Sequence, residues 1–411
     1  MNRLLRLLGC FVLLVASARA QDVLSSPPMS SPSASAVQGF NANQPGTIPV
    51  PDASIGVPAL PTPFHWGMIE ARPHLLYRFL YGDGIPAHPG VDTKTVINQV
   101  SPGVLLSFGP HWTIDYTPTY YNYSSSKFSD HLDQALHLSF GTAYKDWVLN
   151  LSHTYIASSS PIVETGQQTD QENHNTSLDA FYSFNSKWSL EAGVVQNLRF
   201  TPQFNDLHEW STTDWLIYQY APRLQLSAGV SATYDDVETG ADMTSEQLLG
   251  RINWIAGDKT VFEVHGGLED RQLLQASAND LINPVFGATI TYVPFTFTDI
   301  KISADRIISP TFFNNQVTEH IDFKGSVRQR LFSRLFFTVT GDYSSVDYVS
   351  TTAGLPSVRH DNYYSVNFRL TTAVLKRGSI SVFYTLSNNS SDNAQFAFNS
   401  NQEGVELGYS F

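Results

Sequence analysis

The sequence predicts an all-β protein, a transmembrane antiparallel up-and-down β-barrel of about 18 strands with 16 as the fallback count. Three observations lead there. Apolar and polar residues alternate in segment after segment, short and long polar breaks take turns along the chain, and aromatic rings gather beside the short breaks. The domain order that follows is a signal peptide over residues 1–20, a Pro/Ser-rich disordered periplasmic tether over 21–69, and the barrel over 70–411.

Arg3 and Arg6 precede an apolar stretch from Leu7 to Ala16, which ends at Ala18-Arg19-Ala20. A positive start, a short apolar stretch and small residues at the end are the layout of a secretory signal, with cleavage expected near Ala20. The stretch is too short to span a bilayer as a helix. Cys10 does not read as a lipidation site, because most of the apolar segment follows it. It is also the single cysteine, so cleavage excludes disulfides, thiol catalysis and cysteine-bound metals from the mature chain. Removing three arginines with the signal leaves 21 basic side chains against 37 acidic ones, a net −16. Such a chain is a poor binder of nucleic acid, whose affinity rests on Lys and Arg. The segment from Gln21 to Pro63 then holds nine of the 22 prolines, and Ser, Ala, Gly and Asn fill much of the rest. With little to bury and no periodicity, it reads as a tether.

From about Glu70 the texture changes. Val405, Leu407, Tyr409 and Phe411 alternate with Gly404, Glu406, Gly408 and Ser410, and similar alternation runs through Leu224–Thr233 and Ser379–Ser387. A period of two puts one set on each face of a strand. Short breaks fall near Pro110, Lys145, Ser186, Pro222, Asp258, Pro294, Ser333 and Arg377. Longer polar breaks lie between them, among them Ala157–Glu172, Gln272–Asn283 and Asp347–His360. Transmembrane barrels alternate short periplasmic turns with longer outer loops in this way. Intervening strands of roughly 9 to 13 residues suffice to cross the hydrocarbon with tilt. Trp112, Trp147, Trp188 and Trp254 all flank short breaks, as do Tyr144, Phe184, Tyr220, Tyr292 and Phe332, so these rings should form one interfacial girdle. Eight short turns define sixteen strands, and further strands at Arg72–Tyr81 and Asn399–Phe411 bring the sum to eighteen. A propeller repeats at about 40 to 45 residues but divides each repeat into four short strands; here each repeat divides into two long ones.

The final strand resembles the C-terminal signature of bacterial outer-membrane barrels, and the chain from residue 70 resembles porin-like barrels in length and hairpin spacing. No motif fixes a particular porin family. The resemblance implies residence in the outer membrane of a Gram-negative-type bacterium, in contact with its lipid. It implies that the barrel-assembly machinery recognises Val405, Leu407, Tyr409 and Phe411. It also implies a channel for passive diffusion of small hydrophilic solutes. An accessory to surface polysaccharide export, or a structural or adhesive barrel with a closed lumen, stays open, and so does a homotrimer.

A barrel of 16 to 18 strands is wide enough for an aqueous channel. Charge on the lipid face at mid-membrane costs about 2 to 4 kcal/mol for Arg or Lys, so the polar register should face the lumen. That puts Arg251, Lys301, Lys324, Arg328, Arg330 and Arg369 inside, with Asp115, Asp179, Glu191, Glu263, Asp305, Asp322, Asp342 and Glu406. Either they pair and fill a plugged barrel, or they line a wet pore. The twelve histidines show no metal-binding spacing. No enzyme activity and no cofactor are therefore expected.

Overall fold

The computed structural model describes residues 64–83, 94–274, 281–332, 334–351, 359–374 and 376–410. The expected signal peptide, the tether up to residue 63 and the terminal Phe411 lie outside the described residues. The chain opens with β1 (Phe64–Trp66), β2 (Ile69–Asp83), β3 (Lys94–Phe108), β4 (Trp112–Tyr123), β5 (His131–Tyr144) and β6 (Trp147–Ser158). Two short strands, β7 (Pro161–Ile162) and β8 (Gln167–Gln168), form a hairpin of their own. There follow β9 (Gln171–Ser183), β10 (Trp188–Phe200), β11 (Leu207–Ala221), β12 (Leu224–Val237), β13 (Met243–Ile255) and β14 (Thr260–Leu273). The last seven are β15 (Leu281–Phe295), β16 (Thr298–Pro310), β17 (Gln316–Leu331), β18 (Leu335–Ser350), β19 (Arg359–Ala373), β20 (Gly378–Ser391) and β21 (Phe398–Ser410).

Eighteen of these strands, β2–β6 and β9–β21, pair antiparallel in chain order, and β21 closes on β2 from His74↔Ser410 to Gly82↔Gln402. The protein is thus a closed antiparallel barrel of eighteen strands. Register alone sorts the faces, because directly paired residues share a side. Val405, Leu407 and Tyr409 of β21 are exposed and pair with Phe79, Tyr77 and Leu75 of β2. The same exposed register runs on through Leu178, Val194, Val230, Leu248 (68% exposed), Leu268 and Ile302. This is the lipid face. The opposite register carries Glu406, Arg369 and Arg251 to the interior, where Arg251 reaches across β12 and β11 to Glu191 on β10 at 2.7 Å. A side chain spans two intervening strands only on the concave side.

All four of the girdle tryptophans and their companions Tyr144, Phe184, Tyr220, Tyr292 and Phe332 are exposed at the short-turn end. Trp112 packs on Phe140, Trp147 on Tyr182 and Trp188 on Tyr218 across neighbouring strands, with ring centroids 4.4 to 4.7 Å apart. Glycine is required on the inner face where rings press on the wall. A Cβ at Gly229 would lie 2.5 Å from the Trp215 ring.

Two expectations need correction. The barrel strands run 12 to 16 residues rather than 9 to 13. At about 3.3 Å per residue and a tilt near 40°, that is about 30 to 40 Å along the membrane normal, against an apolar band of about 25 Å. The hairpins continue their pairing beyond the lipid, so polar residues read as loop, such as Glu172, Gln272 and Asp347, belong to strands. The break expected over Ala157–Glu172 is also not a plain loop. It contains the β7–β8 hairpin, with Gly166 at φ +67° in its turn. Among the described residues, strand pairing begins at Phe64, through a Gly67-Met68 turn onto β2.

Candidate functional site

The inner register is the chemically distinctive surface. All fourteen charged side chains assigned to the lumen by alternation occur on it. Asp115 lies on β4, Asp179 on β9, Glu191 on β10, Arg251 on β13 and Glu263 on β14. The rest gather on the facing wall, with Lys301 and Asp305 on β16 and Asp322, Lys324, Arg328 and Arg330 on β17. Asp342, Arg369 and Glu406 follow on β18, β19 and β21.

The fold brings some of these together and leaves others apart. Glu406 accepts from Arg369 at 2.7 Å and from Arg78 of β2 at 2.6 Å, and both guanidinium groups lie over the Phe383 ring. Arg251 pairs with Glu191 while resting 4.4 Å above Trp215. Asp305 stands opposite Asp322, and Lys324 opposite Asp342, so one ammonium sits amid three carboxylates. Arg328 covers Phe336 at 4.7 Å. Lys301, Lys324 and Arg330 are exposed. Asp115 and Asp179 stand on the far wall, Asp115 with His74 at 3.8 Å.

Above this solvated wall, the extracellular half is occupied by loops. The β7–β8 hairpin, residues 201–206, residues 311–315 and residues 392–397 converge inside the barrel. Their parent hairpins stand far apart on the wall, β6–β9 facing β16–β17 nearly across the diameter, so contacts between them cross the lumen. Glu164 of the β7–β8 turn accepts the Phe312 N–H at 2.8 Å, and its own carbonyl accepts from Arg359 Nη1 at 3.1 Å. The Arg359 guanidinium lies between the Tyr348 and Phe396 rings, at 3.7 and 3.8 Å, with Asp361 Oδ2 3.2 Å from Nε. Arg199 stacks on Phe312 at 3.9 Å and donates to Thr311 O. Phe204 packs edge-on against Phe312 and Phe313, and Phe313 against Phe396. Beside this clasp, Arg271 is held by Asp235 and Glu269, all three nearly fully buried, with Glu209 opposite Asp235 on the neighbouring strand.

Sequence reasoning missed this upper cluster. Arg199, Arg271 and Arg359 all occupy the inner register, but within three residues of a strand's extracellular end. Arg359 falls inside the break expected over Asp347–His360, and a longer strand assignment is what places it inside; Arg199 and Arg271 fall at the outermost ends of their strands, where alternation gives them no special mark. Glu164 sits in a hairpin that crosses the lumen, and alternation carries no signal for it.

Together the closed wall, the apolar outer belt with its aromatic girdle, and the charged interior define a porin-like outer-membrane β-barrel. In overall structure the chain is similar to a number of solved proteins, three of which follow. One is OpdK of Pseudomonas aeruginosa with vanillate, at TM-score 0.42 and 12% identity over 83% of this chain and 98% of that one. A second is OccAB3 of Acinetobacter baumannii, at 0.46 and 9%, over 84% and 99%. The third is OccK2 (OpdF) of Pseudomonas aeruginosa, at 0.46 and 12%, over 84% and 98%. No family model matches the sequence, and no curated protein matches it either.

Proposed function

We propose that the protein is a passive channel through which small hydrophilic solutes cross the outer membrane. The observation that carries this reading is the solvated basic wall inside the barrel. Lys301, Lys324 and Arg330 are exposed on the inner register of a closed sheet, a placement that only water inside the barrel makes inexpensive. The fourteen inner charges then act as pore-lining groups, with basic side chains along β16–β19, acidic ones at Asp115, Asp179 and Glu191 on the far wall, and Glu263 on β14 between them. The convergent loops set the narrowest section. Residues 1–20 serve as the cleaved export signal, the Pro-rich segment after them as a periplasmic tether, and the outward face of β21 as the assembly signal.

The deciding experiment is planar-bilayer recording on the refolded chain, with and without residues 21–63. Stable stepwise conductance with a reversal potential that responds to lumen charge supports the channel. Silence from folded protein favours the second reading, a barrel whose lumen the four loops fill, and would turn attention to the outer surface and periplasmic partners.

A further inference from the structure

The barrel wall is interrupted at one seam. β3 and β4 pair from Ile97↔Tyr123 to Val100↔Tyr120 and again from Val104↔Tyr116 to Phe108↔Trp112, with no pair between. The register does not shift across the gap, so Pro102 stands directly opposite Pro118, within a residue of the middle of both strands. Ser124 N donates to Val96 O at 2.9 Å, so Pro102, an even number of residues on, faces Pro118 in a hydrogen-bonding pair of the ladder. Proline has no N–H, and both bonds of that pair are therefore missing. Towards their other neighbours the same residues stay paired, Pro102 with Leu75 of β2 and Pro118 with Gln134 of β5. On the described barrel strands no other two prolines face each other.

Side chains on the lumen side bridge the gap. Thr119 Oγ1 donates to Ser101 Oγ at 2.9 Å across the seam. His74 of β2 reaches over β3 to Thr117 Oγ1, 3.0 Å from Nε2, and Thr117 donates on to Asp115 at 3.1 Å. That reach requires Gly103, where a Cβ would stand 2.1 Å from His74 Nε2. Ser101, Thr117 and Thr119 are buried, so the seam is closed in this state. Its lipid side is apolar and aromatic, with Leu75, Val100, Tyr116 and Tyr120 exposed around the two prolines.

We propose that the β3–β4 seam is a lateral portal, through which a slender amphiphile of one alkyl chain and a hydrogen-bonding head passes between the lumen and the surrounding lipid. Elsewhere at mid-height the wall is held by ladder bonds, and hydrocarbon has no group to replace them. Here those bonds are already absent. Opening breaks only the Ser101–Thr119 and His74–Thr117 contacts, whose polar groups can turn to lumen water. Bonded pairs at Val100–Tyr120 and Val104–Tyr116 limit the gap to about 13 Å along the strand, which admits one chain and excludes bulkier molecules. The head meets His74, Asp115 and Thr117, and the tail meets Leu75, Val100, Tyr116 and Tyr120. The inference goes beyond the aqueous channel by giving the lumen a second exit, and its failure would leave the channel reading untouched.

The test uses full-length folded protein in vesicles that contain a long-chain alkanol with a diazirine on its tail, and labelled residues are mapped after irradiation. Label is expected on the inner residues His74 and Asp115 as well as on the lipid-facing wall. In a Cys10→Ser background, Ser101→Cys with Thr119→Cys places a disulfide across the seam, at a separation typical of directly opposed residues. Oxidation should abolish the inner label, and a reductant should restore it. Thr213→Cys with Ser231→Cys, an equivalent inner pair on the intact β11–β12 ladder, should leave it unchanged. Pro102→Val with Pro118→Val restores both N–H donors, so it should also remove the inner label and raise the unfolding temperature. Ionic conductance should be the same in every variant, and silence there would count against the channel reading alone. An unlabelled inner wall in the wild type, inner label that survives oxidation or the proline replacements, or equal loss with the Thr213–Ser231 pair would each overturn the proposal.

Discussion

The periplasmic and extracellular halves of the lumen are built from the same alternating register, yet they hold their charges differently. In the lower half Lys301, Lys324 and Arg330 are exposed in the interior, Lys324 beside carboxylates. In the upper half Arg271, Asp235 and Glu269 are sealed from solvent, and Arg359 is clamped between two rings. A buried ion survives only when its partners replace the lost water, whereas an exposed one keeps its hydration and interacts weakly. The strands decide that a charge points inward. Whether it then meets water or protein is decided by the loops that fold back over it.

Cutting the clasp should have the largest effect on this contrast. Arg359→Ala removes both ring contacts and the donor to Glu164, and it leaves Asp361 buried without its cation. The loss of a buried partner typically costs about 3 to 5 kcal/mol. The expected result is a lower unfolding temperature by heat-modifiability and a conductance raised several-fold as the loops loosen. Wild-type conductance in a folded Arg359→Ala protein would show that the loops do not limit flow.

Reversing charge in the lower half should leave stability nearly unchanged and alter selectivity instead. Arg328→Glu with Arg330→Glu is expected to move the reversal potential in a salt gradient towards that of a cation-preferring pore. An unmoved potential would remove both residues from the permeation path.

A smaller effect is expected from pH. Burial is the main influence on the loop residue Glu164 and raises its carboxyl above the ordinary 4.5, opposed by the Phe312 N–H and by Arg199 and Arg359. With a raised folded value, the in-folded loop gains most in acid and loses that gain as pH rises through the shifted pKa. Conductance should therefore increase as pH climbs above 4.5, and Glu164→Gln should flatten the curve. A Gln variant with the wild-type profile would assign the titration elsewhere.

The girdle should matter least. Trp188→Ala, which loses the 4.6 Å contact with Tyr218, is expected to lower unfolding free energy by about 1 kcal/mol. Conductance should not change, because the ring faces lipid.

The same division between halves governs what the sequence makes legible. Strand number, closure and the inner register follow from a period of two and from turn spacing, both local properties. The short turns and their tryptophans mark the periplasmic rim for the same reason. At the other rim the rule gives out. Pairing persists beyond the membrane through residues as polar as Asp235 and Asp347, so composition no longer separates strand from loop. The meeting of Glu164 with Phe312, 148 positions later, depends on the shape of a cavity, and no sequence period encodes that.

The short strand β1 adds a point about the seam. β2 continues below the last described pairing with β21, from His74 down to Ile69, and there β1 lies along it at Ala71, Glu70 and Ile69. On that side the bare backbone edge of β2, a template for adventitious strand addition, is covered by the residues just before it in the chain. The first and last strands therefore finish side by side at one rim. A short peptide bridge could join them there and new ends could be opened in an extracellular loop, so the barrel lends itself to circular permutation, with β1 as the piece that must be kept.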